Sequence, residues 1–136
     1  MNGQRPQRQG SLHPNIAPYG DLIDCKDGAI VLAVGSDAQF TALCGVLGTD
    51  DLPQDDAFAV NAQRVVHRDA LAQALNAAAR SWQRQDLLVA LRDAKVPAGA
   101  VYSVAEALSH PEFREAYVHG EPGKEKLRTS AVRVHR

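Results

Sequence analysis

Cysteine is nearly absent from this chain: two residues, Cys25 and Cys44, in 136. That is too few, and too plainly spaced, for a disulfide framework or a zinc site. Both thiols stand in apolar stretches, so each is expected to be a buried, reduced side chain. Aromatics are scarce too, at 5%, and the 45% hydrophobic fraction is carried largely by alanine and valine. An excess of either charge is missing: the formal charge is −1, which excludes the basic footprint of a nucleic-acid or membrane-surface binder. No run of 18 apolar residues exists, and the N-terminus has no apolar core of a signal peptide. A soluble, cytoplasmic domain without nucleic-acid or membrane partners is expected. The length suits one domain.

The usual chemical motifs are also wanting. No Gly-rich loop follows a strand and opens a helix, so neither a P-loop nor a dinucleotide fingerprint is present. No nucleophile elbow and no His-Glu-x-x-His spacing occurs. The aspartates of the segment 50–56 lack the alternation and closing glutamate of a calcium loop, and a solvated turn is expected there. The five histidines are scattered, and no metal site is expected. Asp37 falls in the first turn of a helix, where the dipole alone stabilises a carboxylate.

What is present reads as an α+β fold, a small sheet with several packed helices. Residues 1–12 are polar and form a flexible tail; residues 13–136 form the domain. His13-Pro14-Asn15-Ile16-Ala17-Pro18-Tyr19-Gly20 holds two prolines and a glycine and is predicted as an extended loop. Leu22–Cys25 and Ala29–Val34 flank Lys26-Asp27-Gly28 and predict a hairpin. The second arm is apolar on both faces, as in a central strand covered on both sides. Ser36 and Gln39 predict a capping box, and Phe40, Leu43, Cys44 and Leu47 an apolar stripe ended by Gly48. Residues 61–82 read as helix with one or two breaks, Leu71, Ala74, Leu75, Ala78 and Trp82 facing inward. Asp86–Lys95 is a further amphipathic helix, stopped before Pro97. A short strand at Ala100–Tyr102, a second capping box at Ser103 and Glu106, one more turn or short helix from Pro111 through Ala116 and a closing hairpin of 117–119 with 126–134 complete the pattern.

The order of these pieces resembles one family. His13-Pro14-Asn15-Ile16-Ala17-Pro18-Tyr19, Asp27-Gly28, Ile30 to Phe40, Phe58-Ala59-Val60-Asn61, Arg64-Val65, His67-Arg68-Asp69, Val96-Pro97-Ala98-Gly99-Ala100-Val101 and His110-Pro111 are similar to the small domain of family III CoA-transferases (the formyl-CoA transferase and carnitine dehydratase-like family). The likeness spans roughly residues 13 to 118. It implies a two-domain parent whose large domain binds most of the CoA and supplies an aspartate nucleophile, for which these residues hold no counterpart. No catalytic residue is therefore assigned. His13, Asn15 and Tyr19 are implied as candidates on a substrate-side loop. Asp37 matches the place of an acidic residue that, in the racemase branch, supports a base, and it is an accessory candidate only. The resemblance further implies self-association or a large-domain partner chain, no tightly bound cofactor, and coenzyme A only as substrate of the completed enzyme. The alternative is a non-catalytic binding or dimerisation module.

Overall fold

The computed structural model describes residues 10–111 and the backbone of 118–119 and 126–127. Strands β1 (Tyr19–Cys25) and β2 (Gly28–Ala33) form an antiparallel hairpin in which Cys25 pairs with Gly28. Lys26 and Asp27 are thus a two-residue loop. Asp27 also serves at a distance: its Oδ1 accepts the N–H of Arg84 at 2.6 Å, at the start of helix α4 (Arg84–Asp93). A helix that lacks a cap from its own flank is capped by the hairpin turn.

Strand β3 (Ala98–Val101) pairs antiparallel with the other side of β2, giving the order β1-β2-β3. β2 is therefore central, as its apolar run predicts. Its two faces differ, however. Ile30, Leu32 and Val34 are buried, whereas Ala29, Val31 and Ala33 are only half-buried. The inner face meets Phe40, Leu43 and Leu47 of α1 (Asp37–Leu47), Leu71, Leu75 and Ala79 of α3 (Arg68–Ala79), and Leu87 and Leu91 of α4 in one core. Full burial of each leucine, isoleucine, valine or phenylalanine among them contributes about 1.5–3 kcal/mol. The outer face, with Leu22 opposite Val31, has no such cover among the described residues: Leu22 stays 49% exposed and Val101 37%. Among the described residues, the expected cover is found on one side.

Caps follow the sequence with one change. Ser36 Oγ accepts the Gln39 N–H at 3.2 Å, but Gln39 Oε1 reaches past Ser36 to the N–H of Gly35, at 2.9 Å. Gly48, at φ 70°, closes α1. A short 3-10 turn, Leu52–Gln54, follows. The region 61–82 breaks once inside its helical part, at His67, into α2 (Asn61–Val66) and α3. β3 starts at Ala98, two residues ahead of the strand expected at Ala100–Tyr102.

Residues 102–136 make a second compact unit. It contains α5 (Val104–Ser109), where the capping box of Ser103 and Glu106 is complete, and strands β4 (Val118–His119) and β5 (Lys126–Leu127), which pair antiparallel. The rest of the expected closing hairpin, the turn after Pro111 and residues 1–9 of the expected tail lie outside the described residues. The architecture is α+β, a three-stranded antiparallel sheet carrying helices.

Candidate functional site

The stretch from His13 to Tyr19 projects from the start of β1, and side chains from one helical stripe hold it in place. Asn61 Oδ1 accepts the Ala17 N–H at 3.0 Å, and Asn61 Nδ2 donates to Asn15 O at 2.8 Å. Arg64 Nε donates to Ala17 O at 2.8 Å. Arg68 Nη2 donates to both His13 O and Ile16 O at 2.6 Å. Five backbone groups of a short loop are thus satisfied by three side chains spaced three and four residues apart. Within the loop, the His13 N–H donates to Tyr19 O at 2.8 Å, closing its neck. The Ala17–Pro18 peptide is cis.

Arg64 is the most deeply committed of the three. It is 1% exposed, and besides Ala17 O its guanidinium donates to Phe58 O and Ala59 O and to Asp37 Oδ1, at 2.9, 3.3 and 2.5 Å. The guanidinium also stands 4.4 Å over the Phe40 ring, a cation–π contact. A buried guanidinium is tolerable only when its donors are filled in this way. No described buried side-chain N or O lacks a partner.

Arg68 is anchored by a different carboxylate. Its Nη1 donates to Asp21 Oδ2 at 2.8 Å. Asp21 faces inward with Ile23 by strand alternation, next to a bulge: Tyr19 pairs with Ala33 and Leu22 with Val31, so Gly20 and Asp21 together stand opposite Leu32, and Tyr19 falls on the outer side. Burial pushes the Asp21 carboxyl above the usual carboxylate range, and this outweighs the opposing attraction of Arg68 and the hydrogen bonds it accepts. The bulge depends on Gly20, at φ 80°; a Cβ there would lie 1.7 Å from Ser11 O.

The candidate residues are distributed as follows. His13 and Tyr19 come together, ring centroids 5.6 Å apart in an edge-on arrangement. His13 Nδ1 accepts the Asn15 N–H at 3.2 Å. The side chain of Asn15 is exposed, and Tyr19 is 39% exposed. These three therefore share one small, solvent-facing surface. Asp37 lies apart from them on α1, and Arg64 joins it to the loop. Its carboxylate orients a cation. Cys44 is fully buried and its thiol is pushed up to about 11 by desolvation; Cys25 is also raised, chiefly by burial. Among the described residues no group of three or more His, Cys, Asp or Glu could hold a metal ion, and no helix is long and apolar enough to cross a membrane.

The family model for CoA-transferase family III matches residues 1–134. The chain belongs to that family. Family III relatives include the succinate–glutarate CoA-transferase of Agrobacterium fabrum, 38% identical over 84% of this chain and 28% of its own length. The acetyl-CoA:oxalate CoA-transferase of Acetobacter aceti is 36% identical over 81% of this chain and 28% of its own. The crystal structure of a CAIB/BAIF family protein from Brucella suis superposes with a TM-score of 0.88 at 38% identity, covering 98% of this chain and 35% of that one. The chain thus spans about a third or less of the length of these relatives. What it shares with them is a part of the family III chain.

Proposed function

We propose that this domain is the small-domain part of a family III CoA-transferase, shaping the acyl side of an active site whose nucleophile and main CoA contacts belong to a large domain. The observation that carries this reading is the His13–Tyr19 loop, held rigid by Asn61, Arg64 and Arg68. Preorganised polar groups on a fixed backbone are what substrate positioning requires. His13, Asn15 and Tyr19 present an imidazole, an amide and a phenol to the acyl group. Such donors suit the free carboxylate of a small dicarboxylic acyl substrate, the class named in the relatives from Agrobacterium and Acetobacter. A large-domain carboxylate attacks the donor thioester to give a mixed anhydride and free CoA thiolate, and the thiolate then takes the enzyme carbonyl, releasing the donor acid. The acceptor carboxylate displaces CoA from that enzyme thioester, and the freed thiolate opens the new anhydride at the acceptor acyl, which yields its CoA thioester and returns the carboxylate. Asp37 has an accessory part, by orienting Arg64. Coenzyme A is a substrate of the completed enzyme, and the partner is a large-domain chain.

Reconstitution tests this. The chain alone is expected to transfer no CoA between acyl-CoA and a dicarboxylate, and to bind CoA no tighter than about 1 mM. Mixed with a large-domain polypeptide from a relative lacking its own matched segment, it should restore transfer. Turnover by the isolated chain, with a covalent acyl adduct on one of its residues, overturns the reading.

A second reading, a dimerisation module, draws on the outer face of the sheet, which the described residues leave open. Leu22, Val31 and Val101 form an apolar strip there, worth about 25 cal/mol per Å² if covered. Sedimentation at tens of micromolar separates the two: a two-fold dimer broken by Leu22→Asp supports the module, and a monomer removes it.

A further inference from the structure

The two edges of the three-stranded sheet are finished differently. In β1 the backbone of Asp24 points away from β2, and Asn76 Oδ1 of α3 takes its N–H at 2.8 Å. That edge is covered by a helix. In β3 the bond from the Ala33 N–H to Pro97 O, 3.0 Å, sets the alternation. Gly99 and Val101 turn their backbone groups to β2, so Ala98 and Ala100 turn theirs outward. Among the described residues no strand pairs with this edge and no side chain is bonded to these groups.

A groove of about 420 Å³ lies along the same edge, between β3 and α4. Leu88, Val89 and Pro97 give it apolar walls, and Arg92 and Lys95 line it where α4 ends. No carboxylate lines it. The nearest counter-charge to Arg92 is its neighbour Asp93, 3.7 Å away and equally exposed, and such surface pairs bind weakly.

We propose that this groove receives an extended acidic segment of a separate polypeptide chain, which adds to β3 as a fourth strand. Outward N–H and C=O groups on alternate residues match another strand and no compact ligand. Alternate side chains of that strand would lie over Leu88 and Val89. A carboxylate on it would meet Arg92 and Lys95. A second copy pairing β3 to β3 would set two cationic grooves together and bring no carboxylate to either. The proposal stands independently of the CoA-transfer reading.

The test is a titration of the full 136-residue chain, followed by amide NMR, with a blocked heptapeptide alternating valine and glutamate. Affinity on the order of 1 mM is expected for so short a strand. Shifts should centre on Ala98, Ala100 and the end of α4, with slowed hydrogen exchange at those two amides. Arg92→Glu combined with Lys95→Glu should weaken glutamate-peptide binding at least about tenfold and admit the matching lysine peptide, a change of about 1.4 kcal/mol or more. Ala100→Pro removes an outward N–H that the fold does not use and should abolish binding; should that variant not fold, the charge reversal still decides. Equal binding of both peptides by the unaltered chain, shifts on the Leu22 face instead, no shift at several times the expected dissociation constant, or pairing of β3 with a second copy would each overturn the proposal.

Discussion

Arg64 Nη2 lies 2.5 Å from Asp37 Oδ1, yet the arginine side chain is 1% exposed and the aspartate side chain 61%. The pair is lopsided: a desolvated cation reaches out to a hydrated anion. Most of what holds the guanidinium is therefore the three carbonyls of Ala17, Phe58 and Ala59.

Truncating the arginine should cost far more than truncating the aspartate. Arg64→Met removes the donor and strands buried carbonyls, for an expected loss of about 3–5 kcal/mol. Asp37→Ala should cost about 1 kcal/mol or less, because its side chain is largely in water. Urea midpoints measure both. Equal losses would mean that the ion pair, and not the carbonyl cradle, secures the cation.

Releasing the loop is a separate effect. Asn61→Ala deletes the acceptor for the Ala17 N–H and the donor to Asn15 O, at an expected cost of about 1–3 kcal/mol. Amide exchange at Ala17 should quicken by at least about tenfold while exchange in α4 is unchanged. If transfer is restored by the reconstitution described above, this variant should raise KM for the acyl acceptor more than it lowers kcat.

The raised Asp21 carboxyl makes an acid-range prediction with a definite sign. A group whose folded pKa exceeds its unfolded value contributes stability below the unfolded value and loses it as pH rises through the folded one. The stability difference between the natural chain and Asp21→Asn should thus favour the natural chain most in acid, and shrink as the pH climbs past the ordinary carboxylate range. A difference that grows with pH would show that Arg68 dominates over desolvation. The two outcomes have opposite slopes, so the measurement needs no absolute stability.

Thiol chemistry checks the core. With its pKa near 11, Cys44 is about one part in a thousand thiolate at pH 8, and it has no exposed surface. Alkylation of the folded chain should stop at one equivalent, on half-buried Cys25, and reach two only in denaturant.

Gly20→Ala should be among the most damaging small changes. The added methyl would meet Ser11 O at 1.7 Å, from a residue held at φ 80°. A loss of at least about 1–3 kcal/mol is expected from the backbone conformation alone, visible as a lowered thermal midpoint.

Much of this fold was legible from local rules. The hairpin, the helix from Asp37 to Leu47 and the capping box at Ser103 follow from turn residues, spacing and caps, which act within a few positions. The loop was legible as a loop because Pro14, Pro18 and Gly20 forbid anything else. Its anchorage was not. The inward stripe read at Leu71 and Leu75 continues backwards through Arg68, Arg64 and Asn61 at the same three- and four-residue steps, but hydrophobic periodicity stops counting when the side chains become polar. Two arginines extending an apolar stripe were the available signal. Asp27 as a cap for α4, 57 residues away, left no trace in sequence, since remote caps have no fixed spacing. The uncovered outer face of β2 was likewise hidden, because an apolar strand reads the same whether its second neighbour is a helix or nothing described.

That sheet, covered on one side by the described residues, separates two properties that usually move together. Substitutions on Ile30 or Leu32 act through the core, so they shift the melting temperature. Substitutions on Val31, one residue along and pointing the other way, or on Leu22 opposite it, remove less packing and chiefly change how the chain meets other molecules. Solubility and thermal endurance can therefore be tuned apart, on opposite sides of a single layer of backbone.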